Sequence, residues 1–326
     1  TWGGLTQHEL RAPSAALTLR LGELRLLFNA SSYQRGMPLV GTFSDPGARE
    51  EQRAVRVDLS HSRVLFRRFT LDSRLYGGYS SREERSTYGE GFWCLPGQDG
   101  CHTSIAARSG SIGIEQRVSA DWFLDGKLLS MLGYDLRARF FDSDPGTYTD
   151  LRTDQPSTIV PTPHASSTTV FGALFAQQLW HPLRWLSINV GARLDLQSQY
   201  GVSFSPRAAA IFKPHPTTVL RASFSSAFRG PSSFELTEFD PTYRITPASL
   251  RAETMRNIEV EAQQRVWRVQ LSLRGYVSRY DDMVESRVAT AEEQARFVGQ
   301  LSPSADPTVV VVNDNIVMVD AVHNAQ

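Results

Sequence analysis

No stretch of the 326 residues approaches the roughly 18 consecutive apolar side chains of a membrane-crossing helix, so no segment reads as one. Net charge is missing too. The 34 basic and 34 acidic side chains cancel, which removes the electrostatic footprint of a nucleic-acid or anionic-surface binder. Cysteine is scarce: Cys94 and Cys101 are the only two, and a lone neighbouring pair suits an oxidising compartment better than the cytosol. The opening Thr1-Trp2-Gly3-Gly4 has neither the basic nor the apolar region of a signal peptide, so an export signal is expected upstream. Catalytic motifs are lacking as well. There is no Gly-x-Ser-x-Gly, no phosphate-cradling glycine loop and no His-Glu-x-x-His, and YGEGFW (88–93) leads into a loop rather than a helix. Neither an enzyme nor a cofactor is predicted.

What is present is period two. From Leu186 the even positions read Leu186, Ile188, Val190, Ala192, Leu194 and Leu196 against Ser187, Asn189, Gly191, Arg193 and Asp195. From Trp267 the odd positions read Trp267, Val269, Leu271, Leu273, Gly275 and Val277 against Arg268, Gln270, Ser272, Arg274, Tyr276 and Ser278. Ile258, Val260 and Ala262 likewise alternate with Glu259, Glu261 and Gln263. Successive strand residues point to opposite faces, so each run is a strand with one apolar and one polar side. The mean hydropathy of −0.28 resembles that of a soluble protein, yet alternating lipid-facing and lumen-facing residues average to such a value.

Thirteen strands are predicted, at about 15–21, 24–34, 53–65, 69–82, 108–121, 127–141, 169–180, 184–197, 203–212, 218–229, 253–264, 267–284 and 308–320. Many run for about ten residues or more, the length that crosses a bilayer at a tilt. Short links fall near Gly22-Glu23, Arg67-Arg68, Trp122 to Gly126, His181-Pro182-Leu183, Lys213 to Pro216 and Gln264-Arg265. Long links rich in Gly, Pro, Ser and Asp lie between them, near 35–52, 83–107, 142–168, 230–252 and 286–307; only the link at 198–202 breaks the alternation. Short turns at one end and long loops at the other are the layout of an outer-membrane barrel. Trp122, Trp180, Trp185 and Trp267 all lie beside short links, where an aromatic girdle would sit. Arg56, Asp58, Asp135, Arg137, Arg139, Glu259 and Glu261 load the polar faces with charge that a small dry core could not hold. The expected fold is therefore all-β: a transmembrane antiparallel up-and-down β-barrel, partial, about 13 strands of a plugged barrel of about 22.

Five segments from about 170 to 285 resemble TonB-dependent receptors. VFGALFAQQLW (170–180) looks like the family's strand ending in Phe-Ala-Gln-acid-x-Trp, with Gln178 in place of the acid. LSINVGARLD (186–195) is similar to its Leu-x-Leu-Asn-x-Gly-Leu-Arg-x-Asp strand, matching at Asn189, Gly191, Arg193 and Asp195; Ser205-Pro206-Arg207 follows. TTVLRASFSSAFRGPSSFE (217–235), ASLRAETMRNIEVE (248–261) and GYVSRYDDMVE (275–285) resemble later family elements, with Ala252 where proline is usual. Residues 22–62 add weaker likeness to an earlier hairpin of the same barrels.

The resemblance implies an outer-membrane active-transport receptor for a scarce nutrient (a ferric siderophore, haem, cobalamin or a glycan), energised through TonB. Its partners would be TonB, a small ligand such as a metal chelate, and outer-membrane lipid. Residues 1–326 are expected to be a partial barrel domain: no plug or TonB box is recognisable, and the chain stops at Ala325-Gln326 within an apparent strand, short of the final strands. Arg193, Asp195, Arg229 and Glu235 are candidates for contact with ligand or plug; the alternative role is a lumen ion-pair ladder or a loop anchor. Cys94 and Cys101, around Pro96, Gly97 and Gly100, are expected to close a small loop by a disulfide. With only His102 beside them they lack the ligand set of a zinc site, and no metal is expected. Two other classes stand as rivals. An outer-membrane lipase or protease would need a Ser/His/Asp or acid cluster at the outer rim, and a soluble β-rich binding protein would need no detergent.

Overall fold

Alternation of the kind just counted makes strands, and a computed structural model consists almost wholly of them. It describes residues 10–36, 48–89, 100–150, 165–232, 244–245, 250–288, 290–292 and 309–325. The elements are β1 (Leu10–Arg11), β2 (Ser14–Leu21), β3 (Leu24–Gly36), β4 (Arg49–Leu65), β5 (Phe69–Gly89), β6 (Gly100–Asp121), β7 (Leu128–Ser143) and β8 (Thr147–Asp150). They continue as β9 (Ala165–Leu183), β10 (Leu186–Gln197), β11 (Gly201–His215), β12 (Thr218–Arg229), β13 (Arg244–Ile245), β14 (Glu253–Val266), β15 (Val269–Val288) and β16 (Val309–Ala325). Without the short pieces β1, β8 and β13, thirteen long strands remain, and from β2 onward each neighbours the next long strand in the chain. This is an up-and-down antiparallel sheet.

Three of the six short turns, at Gly22-Glu23, Arg67-Arg68 and Trp122 to Gly126, fall where the sequence puts them, and the outer strand ends do not. β5 continues to Gly89, β6 begins at Gly100 and β9 at Ala165, all well inside stretches read as loops. The outer part of β5, SSREERSTYG, is polar on both faces, so the ladder goes on while its period-two signature stops. Three turns also sit a few residues from their predicted places, at Arg184-Trp185, Pro216-Thr217 and Trp267-Arg268. Polar residues at the rim explain the shifts. Gln264, read as part of a turn, instead joins its neighbour: Thr218 Oγ1 donates to Gln264 Oε1 at 2.6 Å and Gln264 Nε2 donates to Thr217 Oγ1 at 3.2 Å. His181 pairs with Ser187 across the β9–β10 turn, Nδ1 to Oγ 2.7 Å. In the β6–β7 turn the side-chain bond from Lys127 holds the Asp125 carboxyl below its ordinary pKa.

The chain forms two compact units, the first of residues 1–63, 72–116 and 135–170, the second of 64–71, 117–134 and 171–326. Within the first, Leu17 and Leu19 lie opposite Phe28 and Leu26, which lie opposite Val57 and Leu59, so one face is apolar. The other carries Asn29 opposite Arg56, and Asp58 accepts from Arg74 Nε at 2.6 Å. The second unit has the same two-faced build. Leu186, Val190 and Leu194 stand opposite Phe212, Ala208 and Phe204, and the first two rows continue as Leu220–Ala262–Leu273 and Phe224–Ile258–Val277.

Among the described residues this apolar face is half-buried to exposed. Val190 is 45% exposed, Ile258 57% and Leu273 50%, whereas the buried apolar residues among those described are only Ala48, Cys101, Ala120, Phe171, Ala173 and Leu250. A soluble sandwich would bury these rows against a second layer. Here no second layer exists among the described residues, and the apolar face is one that hydrocarbon would have to cover.

Candidate functional site

Charge is concentrated on the opposite face, and register decides which charges meet. Glu261 on β14 faces Arg221 on β12 and Arg274 on β15. Arg221 Nη1 lies 3.0 Å from Glu261 Oε2, Arg274 Nη2 lies 3.4 Å from its Oε1, and Gln263 Nε2 donates to Oε1 at 2.7 Å. Arg274 reaches Glu259 as well, at 3.3 Å. Glu261 is only 8% exposed, so its charge is held by this shell of donors rather than by water. On β9 to β11, Gln177 Nε2 donates to Asn189 Oδ1 at 3.0 Å, and Arg207 donates to Gln177.

Arg193 and Asp195 come together on β10. They are two residues apart on one face, with Arg193 Nε donating to Asp195 Oδ1 at 2.8 Å. Asp195 is 1% exposed, and the Arg193 guanidinium lies 5.5 Å from the Phe175 ring centre and 5.8 Å from that of Phe171. Contact with two aromatic rings and an ion pair to the buried Asp195 hold this partly exposed arginine in place. Arg229, at the outer end of β12, pairs instead with Glu253 at the start of β14, Nη2 to Oε1 2.7 Å. The same Glu253 oxygen accepts from the backbone N–H of Val284 at 2.7 Å, so one carboxylate ties three strands together. Glu235 lies outside the described residues, as does Cys94. Cys101 is fully buried and disulfide-bonded.

The first unit carries a similar arrangement. Glu50, 5% exposed, sits between Arg35 and Arg82 at 2.8 Å each. Tyr76 donates to Asp135 at 2.5 Å while its ring lies over Gly113, where a Cβ would come within 2.5 Å of it. Choosing Arg193, Asp195 and Arg229 from sequence singled out motif residues and passed over Arg221, Glu261 and Arg274 as a cluster. The signal was available, since all three lie on polar faces, but their meeting depends on cross-strand register. Among the described residues no group of three or more His, Cys, Asp and Glu side chains could hold a metal. Glu50, Asp195, Glu253 and Glu261 are engaged by guanidinium groups, and Asp135 by the Tyr76 hydroxyl.

A sheet of thirteen long up-and-down strands, apolar on one side and laced with ion pairs on the other, agrees with one family model, "TonB dependent receptor-like, beta-barrel", which matches residues 4–302. The chain belongs to this family. Its fold is that of a partial TonB-dependent receptor barrel. Among solved structures it is similar to the copper transporter OprC, with a TM-score of 0.68 and 14% identity over 95% of this chain and 49% of that one. The siderophore receptor PirA from Acinetobacter baumannii gives a TM-score of 0.66 at 12% identity, over 96% of this chain and 49% of that one. For the ferric citrate transporter FecA in its unliganded form the values are 0.61 and 12%, over 85% and 44%. The chain thus spans about half the length of these proteins. No curated protein matches it in sequence. The family is one of bacterial outer-membrane receptors rather than enzymes.

Proposed function

We propose that this barrel is the wall of an outer-membrane receptor that takes up a scarce nutrient, with energy delivered through TonB. One observation carries the reading: an exposed apolar face backs a face on which the buried carboxylates Glu50, Asp195 and Glu261 are paired with arginine. Such a wall can stand in hydrocarbon on one side and enclose a wet or plugged lumen on the other. The residues contribute binding surface and rigidity, and no chemical step is assigned to them.

On this reading residues 1–326 supply part of a larger barrel of about 22 strands, with a plug and further strands outside the chain. The cargo is a small ligand, and a metal chelate such as a ferric siderophore comes before haem, cobalamin or a glycan, because the named neighbours handle copper, siderophores and ferric citrate. Arg193 and Asp195 brace the lumen wall beneath the site, and Arg229 with Glu253 holds the outer loop that would meet ligand or plug. Glu235 would lie in that loop, and Cys94 would close onto Cys101 in another.

The test is uptake. Deletion of the full-length gene should abolish accumulation of one labelled nutrient among ferric siderophores, haem, cobalamin and glycans, and loss of TonB should do the same. Uptake of all four unchanged by the deletion, or uptake indifferent to TonB, would overturn the proposal.

A further inference from the structure

At the outer end of the apolar face, cross-strand register sets two arginines side by side. Arg256 on β14 lies directly opposite Arg279 on β15, with Ser226 of β12 and Val317 of β16 as the next positions of the row on either side. Like charges directly opposite in a sheet repel, and such pairs are normally avoided. The row below is wholly apolar, Phe224–Ile258–Val277, and the row above is Phe228–Thr254–Asp281. Asp281 answers only part of the charge: Arg279 Nε donates to it at 2.7 Å, while Arg256 Nη1 stays 3.8 Å away. The other charged pair here is Arg251 with Asp282, Nη2 to Oδ1 2.5 Å. Among the described residues of this row and its neighbours, these pairs set three guanidinium groups against two carboxylates.

Beside this row runs a groove of about 410 Å³ lined by Tyr200, Phe204, Phe224, Phe228, Arg251 and Arg256 among others. Tyr200 forms its upper end, packed 6.2 Å from Phe228 and resting on Gly230, where a Cβ would come within 2.1 Å of the ring. The groove is apolar below; above it carries Arg251 and Arg256 with Asp282, and Arg279 stands beside it, across from Arg256. Depth along the strand gives the level. Val266 and Arg256 are ten residues apart on β14, and Val269 and Arg279 ten apart on β15. At about 3.3 Å per residue and a tilt of about 40°, that is roughly 25 Å along the membrane normal, the height of a barrel's apolar band. The arginine pair therefore sits where lipid phosphate begins.

We infer that the groove is a binding site for a phosphorylated lipid of the outer leaflet, its phosphate bridging Arg256 and Arg279 and one acyl chain lying along Phe204, Phe224 and Ile258. The site rests on the outer-membrane reading of the barrel. A guanidinium has five N–H donors in a planar fork, so Arg279 can keep Asp281 and still bond a phosphate, and the anion removes the repulsion within the row. The apolar half of the groove continues the lipid-facing belt, which makes a lipid, rather than a free anion, the occupant.

The experiment uses the full-length protein, first fractionated to establish that it resides in the outer membrane; residence elsewhere would sink both this site and the function above. Protein purified in detergent is then delipidated and offered three probes: bis-phosphorylated lipid A, its phosphate-free counterpart, and inorganic phosphate alone. Native mass spectrometry counts what stays bound. Wild type should retain the phosphorylated lipid, and Arg256→Gln or Arg279→Gln should lower retention by about tenfold, the loss expected for one charged hydrogen-bond donor. Arg256→Lys should lose less, and Arg53→Gln, on an exposed ion pair elsewhere, should lose nothing. Without lipid the sign reverses for Arg256→Gln, which should melt at a higher temperature than wild type, because the repulsion is gone while Arg279 keeps Asp281. Equal retention of the phosphate-free lipid would reduce the groove to plain apolar adhesion and refute the site. Equal occupancy by inorganic phosphate would refute the lipid, and unchanged retention in the double glutamine variant of an outer-membrane protein would refute the site alone.

Discussion

Val190→Arg tests the orientation of the whole sheet. Val190 is 45% exposed on the apolar face of β10, between Gln178 and Ala208 of the adjacent strands. It stands four residues from Leu186, where the strand leaves its turn. Four steps of about 3.3 Å at a tilt of about 40° raise it roughly 10 Å above the turn rim, close to the middle of an apolar band about 25 Å tall. An arginine there should destabilise the barrel by about 2–4 kcal/mol. The neighbouring amide gives little relief, because Gln178 Nε2 already donates to the Leu129 carbonyl at 3.0 Å and its Oε1 accepts from Ser130. Leu196 lies on the same face, ten residues from Leu186 and so about 25 Å up, and Leu196→Arg should cost only about 0–1 kcal/mol. Asn189→Arg, on the charged face, should be tolerated. The assay is denaturant unfolding of the full-length protein in bilayers, monitored by tryptophan fluorescence. Equal costs at 190 and 196, or a larger cost at 189 than at 190, would refute the assignment of the two faces.

Glu261→Gln strips the shared partner from Arg221 and Arg274; because both arginines are about half exposed, the loss should be about 1–2 kcal/mol rather than the 3–5 of a fully buried pair. A double-mutant cycle with Arg221→Met measures it, and a coupling near zero would contradict the ladder. Gly191→Ala would set a Cβ 2.8 Å from the Ala176 carbonyl oxygen, so β9 and β10 must part locally, at about 1–3 kcal/mol; an unchanged unfolding midpoint would argue against this close approach. Reduction of the proposed Cys94–Cys101 bond should loosen its loop and leave the wall nearly unchanged, since so short a closed loop contributes at most the roughly 3 kcal/mol of a 15-residue one. Peptide mapping without reductant locates the bond, and a thiol at Cys94 would rule it out.

Much of this was legible in the residues alone. Alternation over Leu186 to Leu196, and again over Ile258 to Ala262, identifies strands because a strand's side chains switch faces at every residue, whatever surrounds them. The length of those runs and the sorting of turns from loops then call for a barrel, and the tryptophans at Trp122, Trp185 and Trp267 mark its turn rim. The outer reach of β5, β6 and β9 was hidden, because beyond the bilayer both faces meet water and the pattern has nothing to alternate between. The pairings were hidden for a different reason. Glu261 meets Arg221 and Arg274, and Arg256 stands against Arg279, only because the backbone ladders align those positions between strands. A slip of one residue would send each to the other face. Period is a property of one strand and can be read along it, whereas register belongs to two strands at once and exists only when they are hydrogen-bonded together.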